Sequence, residues 1–123
     1  MATPSVDEAR TLGIAHRQKA LIREVLLLGN NQPWVYARSI IPATTLTGRL
    51  RSLCKLDNRP LGALLFSDPT MTRGNIEVAR IPADMIPNGV EPANDGLWGR
   101  RSLFYLDNKP LLVSEIFLSA LNP

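Results

Sequence analysis

Two charged side chains sit on otherwise apolar rows, and they are the residues of this chain best placed to do chemistry. Read with the two-residue period of a strand, Leu111, Val113, Glu115 and Phe117 share one face of the closing segment, while Leu112, Ser114, Ile116 and Leu118 share the other. A carboxylate on such a row loses hydration unless a cation or a hydrogen-bond donor compensates. Glu115 therefore either pairs with an arginine inside the sheet, sits at an exposed edge, or meets a ligand. Arg23 is its cationic counterpart, on a row with Leu21, Val25 and Leu27. It either snorkels to the rim of the sheet or binds an anion. Arg38 shares a face with Trp34 and Tyr36 and poses the same question.

These residues need elements to hold them. Residues 20–28 alternate as a strand and stop at Gly29, Asn30, Asn31 and Gln32, a cluster suited to a tight turn, and residues 34–41 form the returning strand. After Pro42, Thr44 or Thr45 can cap a helix on which Leu46, Leu50, Leu53 and Leu56 recur, with Cys54 turned into the core. Pro60 suits the first turn of a second helix carrying Leu61, Leu64 and Leu65, which puts the Leu61 amide near a helix start, where free N–H groups favour an anion. Residues 75–81 read as a strand, 82–95 as a long loop, 97–106 as a strand, Asp107–Lys109 as a turn and the rest as the strand of Glu115. Residues 1–19 show no periodicity and predict no defined element. The sum is an α+β fold, an antiparallel sheet with helices packed on it and hairpins joining successive strands.

Composition narrows the classes. The chain has 123 residues, 45% hydrophobic and 20% charged, which is one domain's worth of core. A net charge of +3 suits a small anionic ligand at least as well as nucleic acid, and with no basic run longer than Arg100-Arg101 the dense footprint of a nucleic-acid binder is missing. Such a binder would have to use Trp98, Arg100, Arg101 and Tyr105. One cysteine permits no intrachain disulfide, and a reducing interior is the simplest location. One histidine, His16, gives no metal-binding cluster. Met1 to Glu8 lacks the pattern of a secretory signal, and no apolar run approaches a membrane span, so a cytoplasmic protein is expected. No Gly-rich phosphate loop or nucleophile elbow appears.

Five segments, Leu21-Ile22-Arg23-Glu24-Val25-Leu26-Leu27, Pro33-Trp34 with Ala37-Arg38-Ser39-Ile40-Ile41-Pro42, Pro60-Leu61-Gly62 with Leu65-Phe66, Leu97-Trp98-Gly99-Arg100-Arg101-Ser102, and 109–118, come in an order that resembles chorismate lyases. The resemblance covers about residues 20–118. It implies a chorismate–pyruvate lyase, which converts chorismate to 4-hydroxybenzoate and pyruvate for the ubiquinone ring without metal or organic cofactor, on an antiparallel sheet with helices over a buried site. By resemblance Arg23 clamps the ring carboxylate, the Leu61 amide helps hold it, Glu115 contacts the ring oxygen opposite, and Arg38 lends electrostatic support. Such an enzyme would act as a monomer on a small molecule, with no nucleic acid and no membrane. The family also has an N-terminal segment with a flap methionine to which no residue here can be matched. The same fold serves as the effector domain of some transcription regulators, so a non-catalytic module binding an aromatic acid is the alternative.

Overall fold

The computed structural model describes residues 1–56, 59–82 and 96–118. Two tight turns organise its sheet. β1 (Ala20–Gly29) and β2 (Gln32–Pro42) meet at Asn30 and Asn31, with φ of 52° and 63°. β4 (Leu97–Leu106) and β5 (Lys109–Phe117) meet at Asp107 and Asn108, with φ of 50° and 63°. Two successive left-handed residues match the twist of the strands they join, and Asn and Asp accept that backbone at low cost. β3 (Thr72–Ile81) pairs with β4, and the order across the antiparallel sheet is β1-β2-β5-β4-β3. Hairpins thus join three of the four successive strand pairs. The exception is β2 to β3, where the chain crosses from one side of the sheet to its far edge. β5, the strand of Glu115, is consequently central, with Leu111 and Leu112 fully buried on its two faces.

The crossover builds the roof of one face. A 3-10 helix (Gly48–Lys55) is followed by α2 (Leu61–Ser67). The leucine spacing predicts an α-helix from about Leu46. At three residues per turn, however, Leu50, Leu53 and Leu56 eclipse one another and all enter the core, and Cys54 is turned out to solvent instead of inward. Thr45 is not the cap. It is fully buried, and its hydroxyl donates to the Pro110 carbonyl at 2.7 Å, which ties the crossover to the start of β5. Ile41, Phe104, Leu106 and Leu111 complete this cluster from the sheet. Arg49 fastens the roof to the β4–β5 turn by donating to Asp68 at 2.8 Å and Asp107 at 2.9 Å. Its guanidinium holds both carboxyls below the ordinary aspartate range.

The opposite face is covered by an element the sequence reading leaves out. α1 (Val6–Leu12) begins at a capping box, in which the Ser5 hydroxyl accepts from the Glu8 amide and Glu8 accepts from the Ser5 amide, and it ends at Gly13 with φ of 72°. Leu12 packs on Ala20, Ile40, Leu103 and Leu112. The loop expected over 82–95 lies, beyond Pro82, outside the described residues. No helix among the described residues is long and apolar enough to cross a membrane.

Candidate functional site

Strand register decides which charges meet. Directly opposed residues in an antiparallel sheet share a face, so Arg23, Ser39, Val113, Ser102 and Ile76 form one row across all five strands. The next row on that face is Val25, Ala37, Glu115, Arg100 and Val78. Arg23 and Glu115 therefore lie on the face roofed by α2, two strands and two residues apart. At normal sheet spacings that is about 12 Å between their Cα atoms. The strand between them contributes only Ala37 and Ser39 on this face, so the floor there is low.

At the Arg23 end, Nη2 donates to the Arg59 carbonyl at 2.8 Å. This draws the segment entering α2 over the arginine. Pro60 is the N-cap in an extended conformation and Leu61 is the first residue of the helix, with a buried side chain and no side-chain cap for the helix start. The Leu61 amide is one of the N–H groups that an α-helix leaves without an internal partner. Its predicted position at a helix start is the observed one.

At the other end Glu115 is held by a residue that the sequence motif contained without a role. Arg100, directly opposite on β4, donates from Nη2 at 2.8 Å and from Nε at 3.0 Å, both to Oε1. The Glu115 side chain is 19% exposed and that of Arg100 46%. The guanidinium also lies 5.7 Å from the centre of the Phe117 ring, on the same face. The bland expectation for Glu115, an arginine partner inside the sheet, is met here. The pairing uses one carboxylate oxygen and leaves Oε2 outside it.

Arg38 is not brought to this group. Its row is Glu24, Arg38, Ser114, Arg101 and Glu77, on the α1 face. Arg38 donates to Glu8 at 2.9 Å and to Glu24 at 3.2 Å, and Arg101 pairs with Asp7 and with Glu77, the latter at 3.0 Å. The cause is a bulge. Leu28 pairs with Pro33 but Leu27 pairs with Val35, so Trp34 is an extra residue on β2. Counted without interruption from the turn, Arg38 would oppose Arg23; one inserted residue moves it to the other side of the sheet. Gly29 makes room for the bulge, since a Cβ there would lie 2.4 Å from the Trp34 ring.

Titration behaviour on the α1 face follows from these contacts. Burial pushes the Glu8 carboxyl up, but hydrogen bonds from Arg38 and Ser5 outweigh it and hold the group below the ordinary value. Asp7 is held down by Arg101. Tyr36, whose hydroxyl donates to Glu24, is pushed up to about 12, first by burial and then by that hydrogen bond and the Glu24 charge. The four residues of a nucleic-acid reading are divided between the faces, Trp98 and Arg100 on one and Arg101 and Tyr105 on the other. They form no common surface.

The fold and sequence have known counterparts. The ligand-binding domain of a protein assigned to the GntR-family transcriptional regulators, from Bordetella bronchiseptica, superposes over 97% of this chain and 76% of that one, with a TM-score of 0.61 at 20% identity. The C-terminal domain of Yurk from Bacillus subtilis gives 0.60 at 12% identity, over 96% of this chain and 84% of that one. At such identities the likeness concerns fold alone. Among curated proteins, the chain is 45% identical over 111 residues to a "Probable chorismate pyruvate-lyase" of Psychromonas ingrahamii, covering 86% of this chain and 60% of that protein. It is 40% identical over 126 residues to one of Thiobacillus denitrificans, covering 98% and 67%. A third, from Pseudomonas aeruginosa, is 44% identical over 115 residues, covering 94% and 64%. The chain thus spans roughly three fifths to two thirds of the length of these relatives. The family model of chorismate lyase matches residues 1–122, the whole of the sheet and both of its coverings: the chain belongs to the chorismate lyase family.

Proposed function

We propose that the α2 face binds chorismate and releases pyruvate from it to leave 4-hydroxybenzoate, with Arg23, Leu61 and Glu115 as the site. Arg23 takes the ring carboxylate, the Leu61 amide donates a second hydrogen bond to it, and Glu115 accepts from the hydroxyl across the ring. Support comes from one observation above all. Arg23 and Glu115 share a face, and the chain entering α2 is drawn over Arg23, so a rigid ring can be held at both ends. In the reaction the ether C–O bond breaks with its electron pair going to the enolpyruvate oxygen, a ring C–H proton is lost, and that proton ends on pyruvate. Atoms balance between one substrate and two products without water or oxidant. The gain of aromaticity drives the step, so the residues contribute orientation and preorganised charge rather than a covalent intermediate. Arg38 belongs to the support of α1, on the other side of the sheet.

The test is to incubate the purified chain with chorismate and follow 4-hydroxybenzoate by absorbance. Steady formation above the uncatalysed rate is expected. No product, with one of the longer relatives active in parallel, would sink the proposal for this chain. Tight 4-hydroxybenzoate binding without turnover would instead favour the binding-module alternative.

A further inference from the structure

We propose that Arg100 is the second anion receptor of the site and takes the enolpyruvyl carboxylate of chorismate, an inference that rests on the lyase reading above. Chorismate carries two carboxylates, and Arg23 accounts for one. The other hangs from the ether oxygen on the ring carbon next to the hydroxyl that Glu115 is to hold. It must therefore come down beside Glu115, far from Arg23, and a buried or half-buried carboxylate there needs a cation.

Other paired arginines of the protein show what Arg100 lacks. Arg38 bridges Glu8 and Glu24, Arg101 bridges Asp7 and Glu77, and Arg49 bridges Asp68 and Asp107. Among the described residues Arg100 has Glu115 alone. It spends Nε and Nη2 on a single oxygen, Nη1 lies outside that pairing, and its side chain is nearly half exposed. The pairing and the Phe117 ring fix the guanidinium plane before any ligand arrives, so little rotamer freedom remains to be lost when a carboxylate docks. Arg38 and Arg101 face away. Arg80, the other strand cation near this end, lies one strand further out and stacks over Trp98 at 5.6 Å. Arg100 is thus a bridge with one carboxylate in place, and the substrate supplies the second.

Binding, rather than turnover, tests this cleanly. Affinities of the wild type, Arg100→Gln and Arg100→Lys would be measured by tryptophan fluorescence or calorimetry for two ligands. One is 4-hydroxybenzoate, which has lost the enolpyruvyl group; the other is its 3-(1-carboxyethoxy) derivative, a lactyl ether on an already aromatic ring, which keeps both carboxylates and has no aromatisation left to drive a reaction. Arg100→Gln is expected to weaken the dianion about 10–100-fold more than 4-hydroxybenzoate, the range of one or two charge-assisted hydrogen bonds, with Arg100→Lys recovering part of the difference. Retained 4-hydroxybenzoate binding shows that the variants are folded. Equal weakening of both ligands would mean that Arg100 acts only by holding Glu115, and would overturn the inference. A wild type that turns nothing over, yet loses dianion selectivity in Arg100→Gln, would sink the lyase reading and leave the anion role standing.

Discussion

On the α1 face two arginines, Arg38 and Arg101, meet four carboxylates; on the α2 face Arg23 and Arg100 share their strand rows with Glu115 alone among the described residues. The first arrangement is a ladder with a negative surplus, in which the arginines are the more buried partners, Arg38 at 26% and Arg101 at 22% exposed, and only Glu8 among the carboxylates is well covered. The second is cationic, half-exposed and floored by small side chains. The first side carries a negative balance and the second a positive one, which is the balance the proposed dianion needs. The same residue type thus sits in opposite charge balances on the two sides of one sheet.

The strongest way to break this contrast is at Glu115. Glu115→Gln keeps the shape of the side chain and removes its charge, so turnover of chorismate should fall by about 10²–10³-fold, the usual worth of one preorganised charged hydrogen bond, while the thermal midpoint moves little. Unchanged turnover would show that the α2 face does not use its carboxylate. Arg23→Gln comes next. Losing a charge-assisted pair costs about 1.5–3 kcal/mol, so 4-hydroxybenzoate should bind roughly 10–100-fold more weakly. If titration gave equal affinity, the ring carboxylate would be held elsewhere.

How much of this contrast the sequence contains depends on the hairpin. In the second, Asp107 and Asn108 mark the turn, and counting back six residues from Leu106 and forward six from Lys109 lands on Arg100 and Glu115. The ion pair was legible there, but only through register, and a motif taken segment by segment does not set one strand against another. In the first hairpin the same counting fails, because the Trp34 bulge inserts a residue that no alternation pattern announces, and it sends Arg38 to the far face. α1 is a different case. Ser5, Glu8 and Gly13 are a capping box and a left-handed stop, both readable, but a seven-residue helix is too short to show a period. The strands, the turns and the start of α2 were accessible because each carries its own local signal. The 3-10 helix was not, since Leu50, Leu53 and Leu56 fit either helix type until packing chooses.

Arg38 offers a test of the α1 side. Arg38→Gln leaves Glu8, whose side chain is 12% exposed, without its main partner, and unfolding by urea should show a loss of about 1–3 kcal/mol. Its pH dependence has a definite sign. A carboxyl held below its unfolded value stabilises the fold above that value, near 4.5 for Glu8, and the contribution is lost as pH falls through the folded value. Wild type should therefore lose this stability on acidification below about pH 4.5, and Arg38→Gln should show a shallower acid slope. Equal slopes would mean that Glu8 does not hold α1 through Arg38.

Ser5→Ala is the smallest perturbation and separates the faces most finely. It removes the hydroxyl that caps α1, which costs about 1 kcal/mol, yet Glu8 keeps Arg38 on both carboxylate oxygens at 2.9 and 3.1 Å. Stability should drop modestly, and kcat and KM for chorismate should stay within about twofold if the ladder and the site are energetically separate. Combined with Arg38→Gln the losses should not add, because both act through Glu8: with its arginine gone, Glu8 is poorly held and the cap it completes is already weakened. Additive losses in urea would mean that cap and ladder anchor α1 independently. A fall in kcat with Ser5→Ala alone would mean that charge on the α1 face reaches through the sheet to Glu115, and the two faces would have to be treated as one electrostatic unit.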